Sequence, residues 1–187
     1  MKTSREHILD TAQHLAQERG FNAFSYADLA EAVGIRKASI HHHFPSKEDL
    51  ELELVRRYTA EFAEQLASIS KGSKNAGQRL RHYCQLYTET LAGGGICLCG
   101  MMASDLMALP ASVRQPLNDF FVAQVDWLSG VLAQGQAEGE MKFNASPAIK
   151  ARTLLAALQG GLVVARAQAD TRMFSELVDD LLAGLVR

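Results

Sequence analysis

The sequence predicts an all-helical protein with about nine helices, and its composition and proline spacing are the observations that predict it. Its 187 residues include 27 alanines and 24 leucines, against 23 valines, isoleucines and threonines together. This bias favours helices over strands. The four prolines leave residues 46–109 and 117–146 uninterrupted, which allows long helices in both stretches.

A first helix is predicted near the N-terminus, where Thr3 and Glu6 have the spacing of a capping box. The apolar residues that follow recur at helical spacing and predict one buried face: Ile8, Leu9, Ala12, Leu15 and Ala16. Gly20 predicts the end of this helix, because glycine tolerates the backbone conformation in which helices commonly end.

Residues 25–44 predict two short helices separated by a tight turn at Gly34. Ser25, with Asp28 three residues later, marks the start of the second helix, and a third runs from about Arg36 to His43. The apolar residues predict a shared core: Leu29, Ala30, Val33, Ile35, Ile40 and Phe44. The remaining side chains of the third helix are small, basic or imidazole, a set suited to the DNA major groove. The same corner also occurs in purely structural helical bundles.

The rest of the chain predicts six more helices. Ser46 and Asp49 predict the cap of a long fourth helix. The other five are expected at about residues 75–92, 98–108, 112–138, 147–169 and 172–186. Pro116 is expected in the first turn of its helix, where proline is tolerated. The pair Gly160-Gly161 inside a helix costs about 1–2 kcal/mol relative to alanines, and a close approach of another helix is the expected compensation.

Charge and cysteine usage restrict the function classes. The net charge is −2, and the first fifty residues carry six basic and seven acidic side chains, so only the placement of charges can support DNA binding. Three cysteines are an odd number without framework spacing, which favours the reducing cytoplasm. We expect no signal peptide, since the first residues lack an apolar segment, and no membrane span, since the uncharged run 153–165 has only 13 residues.

Neither a metal site nor an enzyme is expected. His41, His42 and His43 cannot share one ion, because neighbours on a helix diverge by roughly 100°. Cys97 and Cys99 lack the second cysteine pair of a structural zinc site. No histidine or acidic residue stands at a recognisable spacing from Cys97 for thiol catalysis, and no phosphate loop is present. We therefore expect no cofactor.

Four stretches together resemble the N-terminal domain of TetR/AcrR-family transcriptional regulators. They are residues 5–12 (Arg-Glu-His-Ile-Leu-Asp-Thr-Ala), 19–21 (Arg-Gly-Phe), 35–44 (Ile-Arg-Lys-Ala-Ser-Ile-His-His-His-Phe) and 46–50 (Ser-Lys-Glu-Asp-Leu). The match covers about residues 4–64 in order and spacing. It implies a helix-turn-helix DNA-binding domain over residues 1–46 and a helical ligand-binding and dimerisation domain over residues 47–187. It also implies a homodimeric repressor, released from a palindromic operator in double-stranded DNA by a small apolar or electrophilic effector.

The resemblance implies which side chains contact DNA. Ser25 matches the cap of the second helix, Arg36 and Lys37 match the start of the recognition helix, and Lys47 matches a lysine that contacts the DNA backbone. His41 stands where the family nearly always has a tyrosine that contacts phosphate, a departure that leaves an imidazole as the donor. The complete set is Ser25, Tyr26, Arg36, Lys37, Ala38, Ser39, His41, His42, His43 and Lys47.

The segment from Gly93 to Leu106 resembles a subgroup of this family typified by the repressor of N-ethylmaleimide reductase. Members of that subgroup sense electrophiles or oxidants through cysteine, and Cys97 matches the reactive position. The glycines are expected to let this thiol reach solvent, and a helix start favours the thiolate. The regulator would then be a redox sensor without a non-covalent ligand. The alternative is that Cys97 and Cys99 are small buried apolar residues.

Two further sets complete the expectations. An apolar effector pocket is expected among residues that could equally be ordinary core: Tyr83, Tyr87, Cys97, Met101, Met102, Leu106, Phe120, Phe121 and Trp127. Because charged residues are scarce in this set, its ligand is expected to be apolar or neutral. The family dimerises through helices that match the last two here, so the leucines expected at the interface are Leu155, Leu158, Leu162, Leu177 and Leu181. The alternative for these leucines is the core of one chain.

Overall fold

The computed structural model describes residues 4–185, and every regular element within that range is helical. Within it, the nine α-helices are α1 (Ser4–Arg19), α2 (Tyr26–Val33), α3 (Lys37–His43), α4 (Lys47–Gly72), α5 (Ala76–Ala92), α6 (Leu98–Ala103), α7 (Ala111–Ala137), α8 (Pro147–Gln168) and α9 (Thr171–Ala183). Single turns of 3₁₀-helix cover Phe21–Ala23 and Leu106–Ala108. The all-helical prediction is confirmed. The Thr3 half of the first capping box and the helix end expected near residue 186 lie outside the described residues.

The chain divides into two compact units. The N-terminal unit contains the described residues up to Ala60 together with Cys97–Asp119, and the C-terminal unit contains Glu61–Ile96 together with the residues from Phe120 onward. Helices α4 and α7 each begin in the N-terminal unit and end in the C-terminal unit. The functional boundary expected between residues 46 and 47 stays a prediction.

In the N-terminal unit, α1 packs against α2 and α6, and α2 packs against α3. The buried face of α1 consists of the five residues predicted for it: Ile8, Leu9, Ala12, Leu15 and Ala16. The helix ends at Arg19, and Gly20 follows with a φ of 93°, a backbone angle that favours glycine. The helical periodicity of the sequence therefore identified both the face and the end of α1.

Both ends of α2 have the geometry that the sequence predicts. The Ser25 hydroxyl oxygen accepts the Ala27 N–H at 3.2 Å, and the Asp28 carboxylate accepts the Ser25 N–H at 2.7 Å, which completes a capping box. Gly34 adopts the left-handed conformation with a φ of 76°, and its N–H donates to the Ala30 carbonyl at 2.9 Å. These two terminations hold α2 to eight residues and direct the chain into α3.

Two helix predictions need correction. The helix expected over residues 98–108 ends at Ala103, and a separate 3₁₀ turn follows. Pro116 is the sixth residue of α7 and therefore lies in its second turn rather than its first. The missing N–H removes one hydrogen bond near the start of a 27-residue helix. Burial of Val113 and Leu117 on either side of the proline stabilises this segment through packing.

In the C-terminal unit, α5, α8 and α9 pack against one another. Ser146 caps α8 by accepting the Ile149 N–H at 3.3 Å, and Pro147 occupies the first helical position, as predicted. A β-carbon at Gly161 would overlap Leu177 Cδ2 and would lie 3.2 Å from two ring carbons of Phe174. The expected close approach is thus present at Gly161, where glycine lets α9 pack directly on the α8 backbone.

Helix α8 is also the one helix, among residues 4–185, that is long and apolar enough to cross a membrane by length and composition. Its most apolar window has a mean hydropathy of 1.3, and the helix extends beyond the uncharged run 153–165 at both ends. Buried core helices of water-soluble proteins meet the same criterion, and one face of α8 is buried against α5 and α9.

Two glycines inside helices, Gly161 of α8 and Gly130 of α7, provide a matched test of this packing. Gly161→Ala should lower the free energy of unfolding by about 1–3 kcal/mol, because the added methyl group overlaps Leu177. Gly130→Ala should raise it by up to about 1 kcal/mol, because a β-carbon there has no neighbour within 4 Å and alanine is the better helix former. Urea denaturation measures both, and equal stability of the two variants would contradict the close approach.

Candidate nucleic-acid interface

Helix α3 exposes one continuous face and is anchored by two apolar residues. Ile40 is fully buried and Phe44, directly after the helix, is buried as well. The exposed residues are Arg36, Lys37, Ala38, Ser39, His41 and His42, and His43 is half-buried. A helix of seven residues is too short to be stable alone, so its position depends on Ile40 and Phe44.

Tyr26 is buried and stabilises the junction between α3 and α4. Its hydroxyl lies 2.5 Å from the Ser46 carbonyl oxygen and 3.1 Å from the Phe44 carbonyl oxygen, and it donates to these two acceptors. Burial, assisted by the charge of Asp49, raises the pKa of Tyr26 to about 12. Tyr26 was expected to contact DNA, but in this structure its hydroxyl is used within the protein.

The imidazole of His41 is oriented by its neighbours. Its Nδ1 lies 3.3 Å from the Pro45 carbonyl oxygen, and its ring packs edge-on against Tyr26 with the centroids 4.9 Å apart. When Nδ1 donates to Pro45, Nε2 is the ring nitrogen left for an external partner. Nε2 can then donate to a phosphate only when the ring is protonated at both nitrogens.

Lys47 lies at the start of α4 and is half-buried. Its Nζ donates to the Phe24 carbonyl at 2.8 Å and lies 4.9 Å from the ring centroid of Phe21 and 5.3 Å from that of Phe24. Desolvation lowers the pKa of Lys47, against the opposing effect of Glu51. An ammonium group has three N–H donors, so the bond to Phe24 leaves two for a phosphate.

A concavity of about 570 Å³ lies at the N-terminal end of α2. Residues around the start of α2 line it together with the side chains of Lys37, His41 and Lys47 from α3 and α4. The complete lining is Asn22, Ala23, Phe24, Ser25, Tyr26, Asp28, Lys37, His41 and Lys47. The capping box already accepts the N–H groups of Ser25, Ala27 and Asp28, so an anion here would be attracted by the helix dipole and by the ammonium groups of Lys37 and Lys47. The arrangement suits one phosphate group beside the exposed face of α3.

The aromatic residues expected to line an effector pocket form a cluster in the C-terminal unit. Tyr83 and Trp127 stack with their ring centroids 5.5 Å apart, and Tyr83 and Tyr87 have centroids 5.3 Å apart. Phe120 and Phe121 contact each other at 5.3 Å. Phe62 also contacts Tyr83, Tyr87 and Phe120, although sequence analysis did not select it.

Gln124 is a second residue of this cluster that sequence analysis missed. Its side-chain oxygen accepts the hydroxyl of Tyr83 at 2.6 Å and that of Tyr87 at 2.7 Å, and only 1% of the residue is exposed. The signal was present in the sequence, because residues 117, 120, 124, 128 and 131 are spaced as one helix face and Gln124 is its polar member.

The other expected pocket residues belong to the N-terminal unit. Met102 is buried, Met101 is half-buried and Leu106 is 43% exposed. Cys97 is the N-cap of α6, as expected, but the prediction that its thiol reaches solvent is wrong, because the residue is only 2% exposed. The buried residues Gly95 and Ile96 return the chain to the interior before Cys97. Its Sγ accepts the Tyr58 hydroxyl at 3.7 Å.

The leucines expected at a dimer interface lie inside a single chain. Leu155, Leu158 and Leu162 are buried, and Leu177 and Leu181 are half-buried. The opposite face of α8 carries exposed apolar or small residues over its C-terminal part, and toward its start Ile149 is separated from them by the exposed Arg152 and Thr153. The apolar or small residues are Ile149, Ala156, Gly160, Val163, Val164 and Ala167. From Ala156 onward they follow helical spacing, so they form one stripe along the helix.

Comparisons with known proteins agree with this architecture. The sequence profile of bacterial regulatory proteins of the tetR family matches residues 8–54. A crystal structure titled as a TetR-family transcriptional regulator from Agrobacterium tumefaciens has a TM-score of 0.94 and 33% sequence identity, with 98% of each chain covered. The chain belongs to the TetR family. It is therefore a DNA-binding transcriptional regulator and not an enzyme.

Two curated relatives of this TetR-family chain are repressors. The transcriptional repressor DhaR of Mycobacterium sp. (strain GP1) is 27% identical over 160 residues, which are 85% of this chain and 80% of that protein. The transcriptional repressor NemR of Escherichia coli (strain K12) is 26% identical over 167 residues, which are 87% of this chain and 84% of that protein.

One acidic residue beside the interface predicts a pH dependence of stability. Glu51 on α4 is only 5% exposed, and burial raises its pKa from 4.5 to about 7, with Lys47 acting in the opposite direction and Glu48 and Asp105 adding to the rise. The folded chain then holds this proton more tightly than the unfolded chain. This contribution to stability is therefore complete below about pH 4.5 and is lost as the pH rises to about 7.

Glu51→Gln should remove this dependence. At pH 8 the variant should be more stable than the wild type by about 1–3 kcal/mol, and near pH 4.5 the difference should vanish. Denaturant unfolding at a series of pH values measures the effect. The exposed Glu64 on the same helix provides the control, since Glu64→Gln should leave the slope unchanged. A parallel pH profile for Glu51→Gln and the wild type would refute the assignment.

Proposed function

We propose that this regulator is a repressor that binds a palindromic operator as a homodimer and leaves it when a neutral small molecule binds. The observation that carries the proposal is the exposed face of α3 beside the concavity at the start of α2, which Lys37 and Lys47 border. The repressor function of the two curated relatives supports the direction of regulation. A cytoplasmic location follows from DNA as the partner.

In this proposal α3 enters the major groove, and the start of α2 contacts the DNA backbone. Arg36, Lys37 and Ser39 are exposed and carry hydrogen-bonding groups that can reach base edges. Ser25, His41 and Lys47 border the concavity, where one phosphate would meet the two free donors of Lys47. Tyr26 contributes by holding this surface together rather than by touching DNA.

Lys37 provides the direct test of the DNA-binding surface. Lys37→Ala should weaken operator binding by about 1–3 kcal/mol, which is roughly 5- to 150-fold, if its ammonium group reads a guanine. Lys71→Ala removes the same charge from an exposed position at the far end of α4 and should change affinity less than about twofold. Fluorescence anisotropy on a duplex selected from random sequence measures both, and an equal loss for the two variants would contradict the proposed surface.

Homodimerisation is supported by the apolar stripe on α8. Val163 is 55% exposed and Val164 is 47% exposed, and the small residues Ala156 and Gly160 continue the stripe toward Ile149. Contiguous exposed apolar surface of this kind marks association sites. A second copy of the chain is the occupant, because reading a palindrome requires two recognition helices about one DNA turn apart, ~34–36 Å.

A pair of exposed valines tests the dimer. Val164→Glu should give monomers in sedimentation analysis, because the interface would bury an unpaired carboxylate, and operator affinity should fall with it. Val122→Glu places the same charge on an equally exposed valine of α7 and should leave the dimer intact. A folded Val164→Glu variant that stays dimeric would exclude this stripe as the interface.

A non-covalent effector is favoured over covalent sensing at Cys97. All three cysteines are buried, and reactive sensor thiols are accessible to solvent. The effector would bind the aromatic cluster of the C-terminal unit and change the position of α4, which continues into the N-terminal unit. The two recognition helices would then lose the spacing of the operator half-sites. A tenfold difference in effector affinity between the two states corresponds to about 1.4 kcal/mol.

A further inference from the structure

The side-chain amide of Gln124 is only half-satisfied within the aromatic cluster. Its oxygen accepts two phenolic hydroxyl groups, those of Tyr83 and Tyr87. Its nitrogen, Nε2, is buried and has no protein acceptor. Burying an amide N–H₂ without an acceptor lowers the stability of the fold. Because 99% of Gln124 is buried, we expect an acceptor for this group that is not part of the protein.

The orientation of the amide follows from the groups around it. Both phenols need an acceptor, and the Gln124 oxygen accepts from both, with the two hydroxyl oxygens 3.0 Å apart. Reversing the amide would let its N–H groups donate to the two hydroxyl oxygens, but it would remove the acceptor that both phenol protons share. Gln159 Nε2 lies 3.5 Å from the Tyr87 hydroxyl and is a second donor, so it cannot satisfy Gln124 Nε2.

The surroundings of the free N–H groups define the ligand. The rings that contact Tyr83 and Tyr87, the two partners of the amide oxygen, include Phe62 and Trp127, and Phe120 contacts Phe62, so the surroundings of the amide are apolar and aromatic. Trp127 is half-buried and its indole N–H is already bound to Ser70 at 3.0 Å, so it adds no free donor. None of the seven residues of the cluster carries a charge, which disfavours an ionised ligand in a buried setting.

We infer that the effector is an uncharged molecule with an apolar or aromatic body and one carbonyl or ether oxygen, which accepts a hydrogen bond from Gln124 Nε2. The inference rests on the effector response proposed above, and it specifies the chemistry of that effector. Tyr83 and Tyr87 then act as positioning residues, because they hold the amide oxygen and so aim the nitrogen at the ligand.

The test uses two probes of the same shape that differ in the oxygen. Acetophenone has a carbonyl where α-methylstyrene has a methylene group, and calorimetry measures the affinity of the dimer for each. Replacing Gln124 by Met should lower the preference for acetophenone over α-methylstyrene by about tenfold or more, because the variant lacks the donor. Gln85→Met, which changes an exposed glutamine of α5, should leave that preference as in the wild type.

A second measurement keeps the inference testable if Gln124→Met folds poorly. In ¹⁵N-labelled wild-type protein, the Gln124 side-chain N–H₂ signals should move downfield with acetophenone and not with α-methylstyrene. Failure of acetophenone to bind, or an unchanged Gln124 signal when it does, would overturn the inference and leave water as the partner of the amide. Operator release is measured separately. Binding at Gln124 without release would refute the proposed effector response alone, whereas release by another compound with no change at Gln124 would refute this inference alone.

Discussion

The hydroxyl of Tyr26 fixes the position of α3, the helix that we propose to bind DNA. It donates to carbonyl oxygens on both sides of the α3–α4 junction, those of Phe44 and Ser46, and so joins α2 to the chain that follows α3. Because α3 has only seven residues, intrinsic helix propensity cannot keep it in place. The burial of Ile40 and Phe44 and this one hydroxyl therefore determine where the exposed basic residues stand.

Lys47 and His41, which we propose to contact the DNA backbone, also make packing contacts within the protein. Lys47 donates one hydrogen bond to the Phe24 carbonyl, and its ammonium group lies over the rings of Phe21 and Phe24. These contacts orient its two remaining N–H donors. His41 contacts Tyr26 and the Pro45 carbonyl, although it stands at a position where tyrosine is usual in the family. Shared use restricts the rotamers of both side chains before DNA arrives, which lowers the entropy lost on binding.

In the C-terminal unit, the surface proposed for dimerisation and the cluster proposed for effector binding are different features. One face of α8 packs on α5 and α9, and Gly161 permits the close contact with Leu177. The opposite face stays exposed and apolar, with Val163 and Val164 at its centre. The hydrogen-bonded group of Tyr83, Tyr87 and Gln124 lies among aromatic rings, where a low local dielectric strengthens satisfied polar contacts and penalises unsatisfied ones.

Local signals in the sequence were enough to predict the helices and their ends. The face of α1, the capping box at Ser25, the left-handed Gly34 and the Ser146-Pro147 start of α8 all depend on neighbours within about four residues, and the structure has each of them. Similarly, the exposed residues of α3 could be predicted from helical spacing once Ile40 and Phe44 were assigned to the core. Because these interactions join residues close together along the chain, they can be predicted from a single sequence.

The remaining features depend on contacts between residues far apart in the chain. Tyr26 was expected to contact DNA, but its hydroxyl donates to the carbonyl oxygens of Phe44 and Ser46, about twenty residues later. Cys97 was expected to be accessible, but the buried Gly95 and Ile96 place it in the interior. The leucines of α8 and its valines are equally apolar, and only the position of α9 determines which face is core and which is exposed. Helical spacing in the sequence assigns Gln124 to the buried face of α7, but only the fold brings its oxygen to Tyr83 and Tyr87, about forty residues earlier. Helical periodicity separates two faces of a helix, but it does not say which partner covers each of them.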